Sequence, residues 1–571
     1  MDIIQFAEAK RLLKEHWNYD SFKKGQEDVL ESIFDGKNVL AVLPTSYGKS
    51  IMFQIPAMMA RGGTIIFSPL ISLMKDQVDD CKKKGVSANY INSHITEEEA
   101  NQRLDDFSSG RIKLLYVAPE RIKNDSFQKT IRKSSISYIV VDEAHCASQY
   151  GHDFRPAYMN IKNIFNLIKT ANGIRPLVIA VTATATSNIE NDIAESLGID
   201  KNYNKIIADP IRNNINYQVI TKNPWGSLRS IISKISKENG RHIVYTSTRT
   251  CAEMILNKIV SDYFPKNTYG FYHGGMTKDK REEIQNQFKS GEKTIICATC
   301  AFGMGIDIPD IRTIVHFGIP ASIEDYVQET GRSGRDGLSS LALLIHDEKG
   351  LEVQKYLLNI SNPPYHLFKH VWNYLHDKLK PEDILYMPSE TMANELSKKI
   401  HEEIDGSTFN TVLIVMEKKG LIERQSPKAE LIIIPNKEEL NNAIENNKLS
   451  GNINTVAITI YDYIKKFNID SSKIIINPEK LCELTDLGIK QVKNALTACA
   501  KKNLLKLEPQ FRGKSTRILK YNEDLENYIT KKEIEDKNKN DIVKLQAMLN
   551  YITTNNYKEY IRSYFLGSKI L

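Results

Sequence analysis

The amino-acid sequence predicts an α/β protein: two tandem parallel-sheet lobes, then a helical region and smaller helix-and-strand domains. Three observations carry this. Residues 36–190 alternate short Val/Ile-rich runs with helix-like stretches, the rhythm of an open parallel sheet. The rhythm restarts near residue 215. After about residue 346 it stops, and a pattern of helix, turn, longer helix and two short strands occurs twice.

Composition agrees with a soluble chain of several domains. The 571 residues are 26% charged and 41% hydrophobic, which excludes collagen, a single coiled coil and wholesale disorder. No apolar run approaches the roughly 18 residues of a membrane span, and the opening MDIIQFAEAKRLLKEHW does not read as a signal peptide. No membrane partner is expected. Seven scattered cysteines point to a reducing, intracellular compartment, the cytoplasm or nucleoid if the source is prokaryotic. The net charge of +7 is compatible with nucleic acid without selecting it.

In the first block NVLAVLP, TIIFSPL, IKLLYVAP, SYIVVDEAH and LVIAVTAT are buried-strand candidates. The first strand runs into AVLPTSYGKSIMFQIPA, where Thr45, Ser46 and Tyr47 form a loop and Gly48, Lys49 and Ser50 open a helix. Backbone N–H groups at such a helix start bind phosphate, Lys49 would reach the β/γ-phosphates, and Ser50 would ligate Mg²⁺. An isolated Gly-Lys-Ser is common by chance; strand, loop and helix in register make it a P-loop. Ser46 and Tyr47 stand where such loops often carry glycines, so the backbone must accommodate two side chains. SYIVVDEAH then delivers Asp142 and Glu143 at a strand's C-terminal end. Asp142 can hold Mg²⁺ and Glu143 can orient and deprotonate a water. An acidic pair after a strand is ordinarily a loop start, but about ninety residues after a P-loop it is far more specific.

In the second block HIVYTSTR, TYGFYHGG, TIICAT, RTIVHFG and LALLIHD are the strand candidates. EDYVQETGRSGRDG places Arg332 and Arg335 three apart, a spacing that predicts one shared helical face. Such arginines are ordinarily surface charges. Beside glycines that permit close approach to phosphate they become candidate arginine fingers, with the nucleotide between the blocks.

Residues 351–380 read as helical, broken at Pro363-Pro364. The repeated later pattern covers about 388–435 and 474–520, a winged-helix reading in each case. In the second copy Ile489, Val492, Leu496 and Cys499 recur at helical spacing, which predicts a buried face. KKEIEDKNKNDIVK near residue 531 reads as a solvated helix or linker.

Taken in order, these motifs resemble the RecQ family of superfamily-2 DNA helicases over residues 10–345, about three-fifths of the chain. WNYDSFKKGQ is similar to the family's adenine-recognition segment; the resemblance implies that Tyr19 and Lys23 flank the base and Gln26 bonds its edge. The family usually has Arg-Pro where Lys23-Lys24 stands here, and an ammonium stacks less well than a guanidinium. SPLISLMKDQV and YVAPERI match DNA-contacting motifs of the first lobe. CASQYGHDFRPAY resembles the aromatic-rich loop that couples DNA binding to hydrolysis, implying roles for His145, Tyr150, His152, Phe154 and Arg155. Tyr150 replaces a common Trp and keeps a smaller stacking face. AVTATAT, with Thr182 and Thr184, looks like the motif joining the ATP and DNA sites. ADPIRNNINY matches the segment crossing between lobes, and the second-lobe motifs place Gly303, Gly305 and Asp307 at the cleft by analogy.

The resemblance implies RecA-like lobes at 1–208 and 209–345, an ATP and Mg²⁺ requirement, and 3′→5′ translocation on single-stranded DNA with unwinding of forked duplex in recombination, repair or replication restart. It implies catalysis by Lys49, Glu143, Gln328, Arg332 and Arg335. Most family members follow the motor with a four-cysteine zinc site; no cysteine lies between Cys300 and Cys482 here, so no zinc is expected. A helical connector at 346–380 stands in its place. The remaining boundaries read as an acidic winged-helix-like domain at 381–440, a linker or helix at 441–466, a basic winged-helix-like domain at 467–525 and a helical tail at 526–571. Residues 381–440 hold seven basic and twelve acidic side chains, and residues 467–520 eleven and five, which favours the second copy as the duplex-binding module. Family hairpins that wedge duplex DNA often carry an aromatic at the tip, and Phe511 in QFRGK is the candidate here. Two alternatives stay open: an RNA helicase of the DEAH type, and a DNA-binding regulatory factor with a vestigial motor.

Overall fold

A computed structural model describes residues 3–45, 47–69, 71–148, 155–172, 175–199, 202–303, 306–425, 431–466, 474–476, 478–508 and 514–567. Ser46, Tyr150, His152, Phe154, Gly305 and Phe511 lie outside these described residues. The chain divides into two units, Met1–Leu358 together with Lys539–Leu571, and Asn359–Asn538.

The first unit contains both lobes. Lobe 1 includes, after a first helix over Ile3–Trp17, helix α1 (Lys24–Phe34), strand β1 (Asn38–Val42) and helix α2 (Ile51–Met59). Its other strands are β2 (Gly63–Phe67), β3 (Ala88–Ile91), β4 (Leu114–Val117), β5 (Ile136–Val141), β6 (Leu177–Thr182) and β7 (Tyr203–Ile207). They form one parallel sheet in the order β3-β4-β2-β5-β6-β1-β7. Helices cover both faces, so the central strands are Val/Ile runs buried throughout. Because β5, β6 and β1 are neighbours, their C-terminal ends set the acidic pair, the Thr182–Thr184 segment and the P-loop side by side.

Lobe 2 repeats the plan with β8 (Ile215–Ile220), β9 (Arg241–Thr246), β10 (Tyr269–Tyr272), β11 (Ile295–Ala298), β12 (Ile311–Phe317) and β13 (Ser340–Ile345). The order is β10-β11-β9-β12-β13-β8, all parallel. Helix α3 (Ile323–Thr330) follows β12.

All ten strand candidates of the two blocks are strands. The three unanticipated ones, β3, β7 and β8, each lie at a sheet edge. Their burial is interrupted, as in the Ile215–Ile220 strand INYQVI, so no continuous apolar run announces them.

The second unit departs from the sequence expectation. Helices α4 (Tyr365–Lys378), α5 (Ser389–Ile400) and α6 (Gly406–Lys418) lead into β14 (Ile422–Gln425). Then come β15 (Leu431–Pro435), α7 (Lys437–Glu445), α8 (Gly451–Lys466), β16 (Ile474–Ile476), α9 (Pro478–Thr485), α10 (Ile489–Lys501), β17 (Leu505–Glu508) and β18 (Ser515–Ile518). The expectation paired β14 with β15 and β17 with β18 as two hairpins. Instead β14 pairs with β18, and β15 pairs with β17 and β16. The two ladders share one register: Ile422 to Pro435 and Leu505 to Ile518 each span fourteen residues, with Ile422 opposite Ile518 and Pro435 opposite Leu505.

One module is therefore inserted in the other. The outer core joins Phe368, Trp372 and Leu396 to Phe409, Ile422, Ile518 and Ile529, and Leu385 bridges to Thr516. The inner core gathers Ile433, Val456, Ile460, Val492, Leu496 and Leu505. The boundary at 440/441 cuts the inner module, 525/526 cuts the outer one, and α4 belongs to the outer core rather than to a connector. Among the described residues β17 and β18 do not pair with each other, since each pairs elsewhere, and the expected tip residue Phe511 lies outside them. Strand propensity shows where a strand lies but not its partner, and here the partners are distant.

The charge contrast narrows with these boundaries. Residues 431–508 hold eleven basic and nine acidic side chains, while 365–425 with 514–538 hold fourteen and sixteen. In α10 Val492, Leu496 and Cys499 are buried as expected, but Ile489 at the helix start is 45% exposed.

Helices α11 (Lys531–Thr553) and α12 (Tyr557–Leu566) complete the described chain. Leu545, Met548, Tyr551, Ile561 and Phe565 share a core with Ile323, Tyr326 and Val327 of α3 in lobe 2. Among the described residues no helix is long and apolar enough to cross a membrane.

Candidate functional site between the lobes

The P-loop is braced from behind by α1. Gln26 Nε2 donates to the carbonyls of Tyr47 (2.8 Å) and Gly48 (3.2 Å), and its Oε1 accepts from the Lys23 backbone N–H at 2.9 Å. Gly48 adopts φ +82°, a backbone conformation that other residues rarely take up, so glycine is favoured there. Tyr47 gives the Lys23 ammonium an aromatic face at 5.1 Å, which accounts for a bulky side chain in this loop. Tyr19 is 57% exposed. Gln26, assigned by resemblance to the adenine edge, thus spends its amide on the loop itself.

Lys49 follows and is half-buried. Its Nζ lies 3.4 Å from the Leu43 carbonyl. Burial pushes the ammonium below its ordinary range, Glu143 and Asp142 push it back up, and Arg335 acts in the same direction as burial. One lysine of lobe 1 therefore feels both acids of its own lobe and an arginine of the other.

Asp142 follows β5, where its N–H donates to the Phe67 carbonyl at 2.9 Å and its own carbonyl accepts from the Tyr158 hydroxyl at 3.0 Å. Burial, then Glu143, raises its carboxyl well above the usual carboxylate range, against the pull of Lys49. Ser50 stands at the start of α2, as its N-cap. Glu143 is held at φ 48°, a left-handed conformation uncommon for a non-glycine residue. Its Oε2 lies 3.4 Å from His145 Nδ1, which is 2.8 Å from Thr182 Oγ1. Thr182 in turn donates to the Thr184 carbonyl at 3.3 Å. The chain Glu143–His145–Thr182–Thr184 links the ends of β5 and β6, and Thr184 lines an interlobe crevice with Thr45, Arg212 and Gln328.

The arginines require a correction. They do not share a helical face, because α3 ends at Thr330 and Gly334 turns to φ +56°. Arg332 is 6% exposed and donates to the Gly303 carbonyl inside lobe 2. Arg335 pairs with exposed Asp307 at 2.5 Å and is the arginine that Lys49 senses. Of the two, Arg335 is the one whose charge reaches Lys49, while Arg332 is held inside lobe 2.

Sequence reasoning missed Arg212. From the segment between lobes it donates to the carbonyls of Gly331 (3.0 Å), Ser333 (2.8 Å) and Gly334, closing the C-terminal end of α3. Thr45 Oγ1 donates to the same Gly331 carbonyl at 2.9 Å, a direct bond from P-loop to arginine loop. Only its position beside Asp209-Pro210, where the chain changes lobe, marks Arg212 in the sequence. Of the coupling loop, Arg155 is described: its Nη1 donates to the Pro69 carbonyl at 2.7 Å, fastening it to the SPLISLMKDQV motif.

Comparison with known proteins matches residues 23–191 to the DEAD/DEAH box helicase family and residues 226–337 to the helicase conserved C-terminal domain. The ATP-dependent DNA helicase RecQ of Bacillus subtilis is 39% identical over 357 residues, covering 62% of this chain and 58% of the relative. The probable ATP-dependent DNA helicase RecS of the same organism is 35% identical over 360 residues, covering 62% of this chain and 70% of the relative. The chain spans 51–58% of the length of three matched RecQ relatives. Among solved structures, the helicase MrfA bound to DNA has a TM-score of 0.52 at 16% identity, covering 73% of this chain and 58% of that one. Mss116p bound to ssRNA and AMP-PNP scores 0.50 at 16% identity, covering 85% and 94%. These two likenesses concern the fold alone. On the P-loop, the acidic pair and the arginine loop, together with these relatives, the chain belongs to the RecQ family of superfamily-2 helicases.

Proposed function

We propose that the chain is an ATP-dependent DNA helicase that couples ATP hydrolysis to 3′→5′ translocation on single-stranded DNA and opens forked duplexes in recombination, repair or replication restart. The observation that carries this is the convergence on Lys49 of Asp142 and Glu143 from one lobe and Arg335 from the other. The family membership supports it.

In this reading the backbone N–H groups at the start of α2 take the phosphates and Lys49 sits on the β/γ-phosphates. Ser50 and Asp142 would hold Mg²⁺, which would neutralise charge on the phosphate oxygens. Glu143 orients the attacking water and accepts its proton. Arg335 stabilises charge on the transferred phosphoryl group, and Gln328 lines the crevice with Thr45 and Arg212. Thr45 and Arg212 tie the nucleotide loop to the arginine loop, so that lobe closure and site assembly are one event.

Tyr150, His152, Phe154 and Arg155 are the proposed DNA sensors, and the contacts among His145, Thr182 and Thr184 are the proposed relay to Glu143. The inner module of the second unit is the proposed duplex contact. Its helix α10 exposes Lys490, Lys493 and Lys501, although the module's net charge of +2 makes a weaker argument than the sequence boundaries did. A winged helix whose wing carries an inserted module is the proposed plan of the outer part.

Strand displacement on forked, 3′-tailed and 5′-tailed DNA duplexes, with a 3′-tailed RNA duplex alongside, tests the reading. Displacement from the 3′ DNA tail by the wild type and none by Lys49→Ala is expected. Displacement from the 5′ tail alone overturns the polarity, and selective action on RNA favours an RNA helicase. ATP hydrolysis no faster than that of Lys49→Ala leaves a DNA-binding regulator.

A further inference from the structure

The described C-terminal helices, α11 and α12, touch two elements that also hold the arginine loop. Tyr551 of α11 is fully buried, and its hydroxyl donates to that of Tyr326 on α3 at 3.3 Å. The Tyr326 ring packs between Tyr551, at 5.1 Å, and His316, at 5.0 Å. His316 Nε2 lies 2.7 Å from Glu329 of the same helix. From α12, the Tyr564 hydroxyl donates to Glu324 Oε1 at 3.0 Å, gripping the first turn of α3. The second element is the segment between lobes: Arg562 pairs with Asp209 at 2.7 Å, and Lys558 donates to the Asn213 carbonyl at 3.2 Å. Arg212 lies between those two anchor points and caps the loop 331–334 from its inner side.

We propose that Arg562 and Tyr551 are positioning residues for ATP hydrolysis: the C-terminal helices fix α3 and the 209–213 segment as one body, and thereby set where Arg335 stands relative to Lys49. Neither residue touches the nucleotide. A cover for the apolar side of lobe 2 needs only Leu545, Met548, Ile561 and Phe565. It needs neither a buried hydroxyl pair on α3 nor an ion pair three residues before Arg212. Those polar contacts impose direction, which apolar packing does not. The inference rests on the proposed ATPase reading and adds to it a part of the chain beyond the two lobes.

The test measures kcat, KM for ATP and thermal midpoint for wild type, Arg562→Ala, Tyr551→Phe and the exchanged pair Asp209→Arg/Arg562→Asp. An exposed ion pair contributes little to stability, so Arg562→Ala is expected to melt within about 2 °C of wild type. Its kcat is expected to fall about ten-fold with KM for ATP nearly unchanged, since a misplaced catalytic group costs turnover before binding. The exchanged pair is expected to recover most of the lost kcat, and Tyr551→Phe to fall by about three-fold. Unchanged kcat in Arg562→Ala and Tyr551→Phe overturns the proposal. So does a loss of kcat that merely follows the fraction of protein unfolded. A wild type no faster than Lys49→Ala overturns the ATPase reading itself and the positioning role with it; an active wild type with indifferent tail variants removes the positioning role alone.

Discussion

Arg335→Ala is expected to lower ATP turnover by about three orders of magnitude, the scale on which arginine fingers act, while nucleotide affinity changes far less. Arg335 is tethered to Asp307, whose side chain is 87% exposed, so the guanidinium is held by a partner that gives it up readily. Burial holds it below its ordinary range, and Asp307 opposes that. A site that already disfavours the free cation gains more when phosphate charge arrives. Arg335→Lys keeps the charge but loses the planar fork, so it is expected to recover only part of the rate. Arg332→Ala is the control. Arg332 bonds the Gly303 carbonyl within lobe 2, so its loss is expected to destabilise the fold by about 1–3 kcal/mol, seen as a lower thermal midpoint. Phosphate-release rates with nucleotide-binding titrations separate the two. Arg335→Ala retaining more than about a tenth of wild-type kcat excludes the finger.

Glu143→Gln has the second-largest expected effect, a fall in kcat of about two to four orders of magnitude with ATP binding preserved. Glutamine is isosteric and cannot take the proton. The backbone is held at φ 48°, and the carboxylate Oε2 lies 3.4 Å from His145 Nδ1. Thr182→Val should act through the same chain more weakly. It removes the 2.8 Å contact to His145 Nδ1 without touching the acid, and DNA stimulation of hydrolysis is expected to fall more than the basal rate. Single-turnover hydrolysis with and without single-stranded DNA measures both. Glu143→Gln turning over within about two-fold of wild type would exclude it as the base.

The sequence disclosed the motor nearly completely and the second unit poorly. The five central strands of lobe 1 are apolar runs with both faces buried, so each was readable alone, and the P-loop and acidic pair follow two of them directly. Strands β3, β7 and β8 escaped because an edge strand needs only part of its surface apolar. The roles within the site divided along the same line. Lys49 and Glu143 could be named from local context. The difference between Arg332 and Arg335 depends on Gly303 and Asp307, some thirty residues upstream, and on where α3 ends. Arg212 and Tyr551 act only through contacts with distant segments, and no local pattern marks them.

The nested second unit also dictates an order of events during folding. Ile422 finds its partner in Ile518, roughly a hundred residues further along the chain. If the outer module closed first, it would have to tie off that whole length as a disordered loop. Once residues 431–508 have folded, the ends Leu431 and Glu508 already stand on paired strands, with Ile432 opposite Glu508. The gap left to close is then about twenty residues, an entropic saving of about 1.5 kcal/mol. The inserted module is continuous in sequence and can collapse as it is synthesised. The discontinuous outer one must wait for Ser515–Ile518 to emerge. Helix α6 and strand β14 therefore remain incompletely covered until the inner module has done its part, and mutations in the Ile433–Leu505 core are expected to delay completion of a module they never touch.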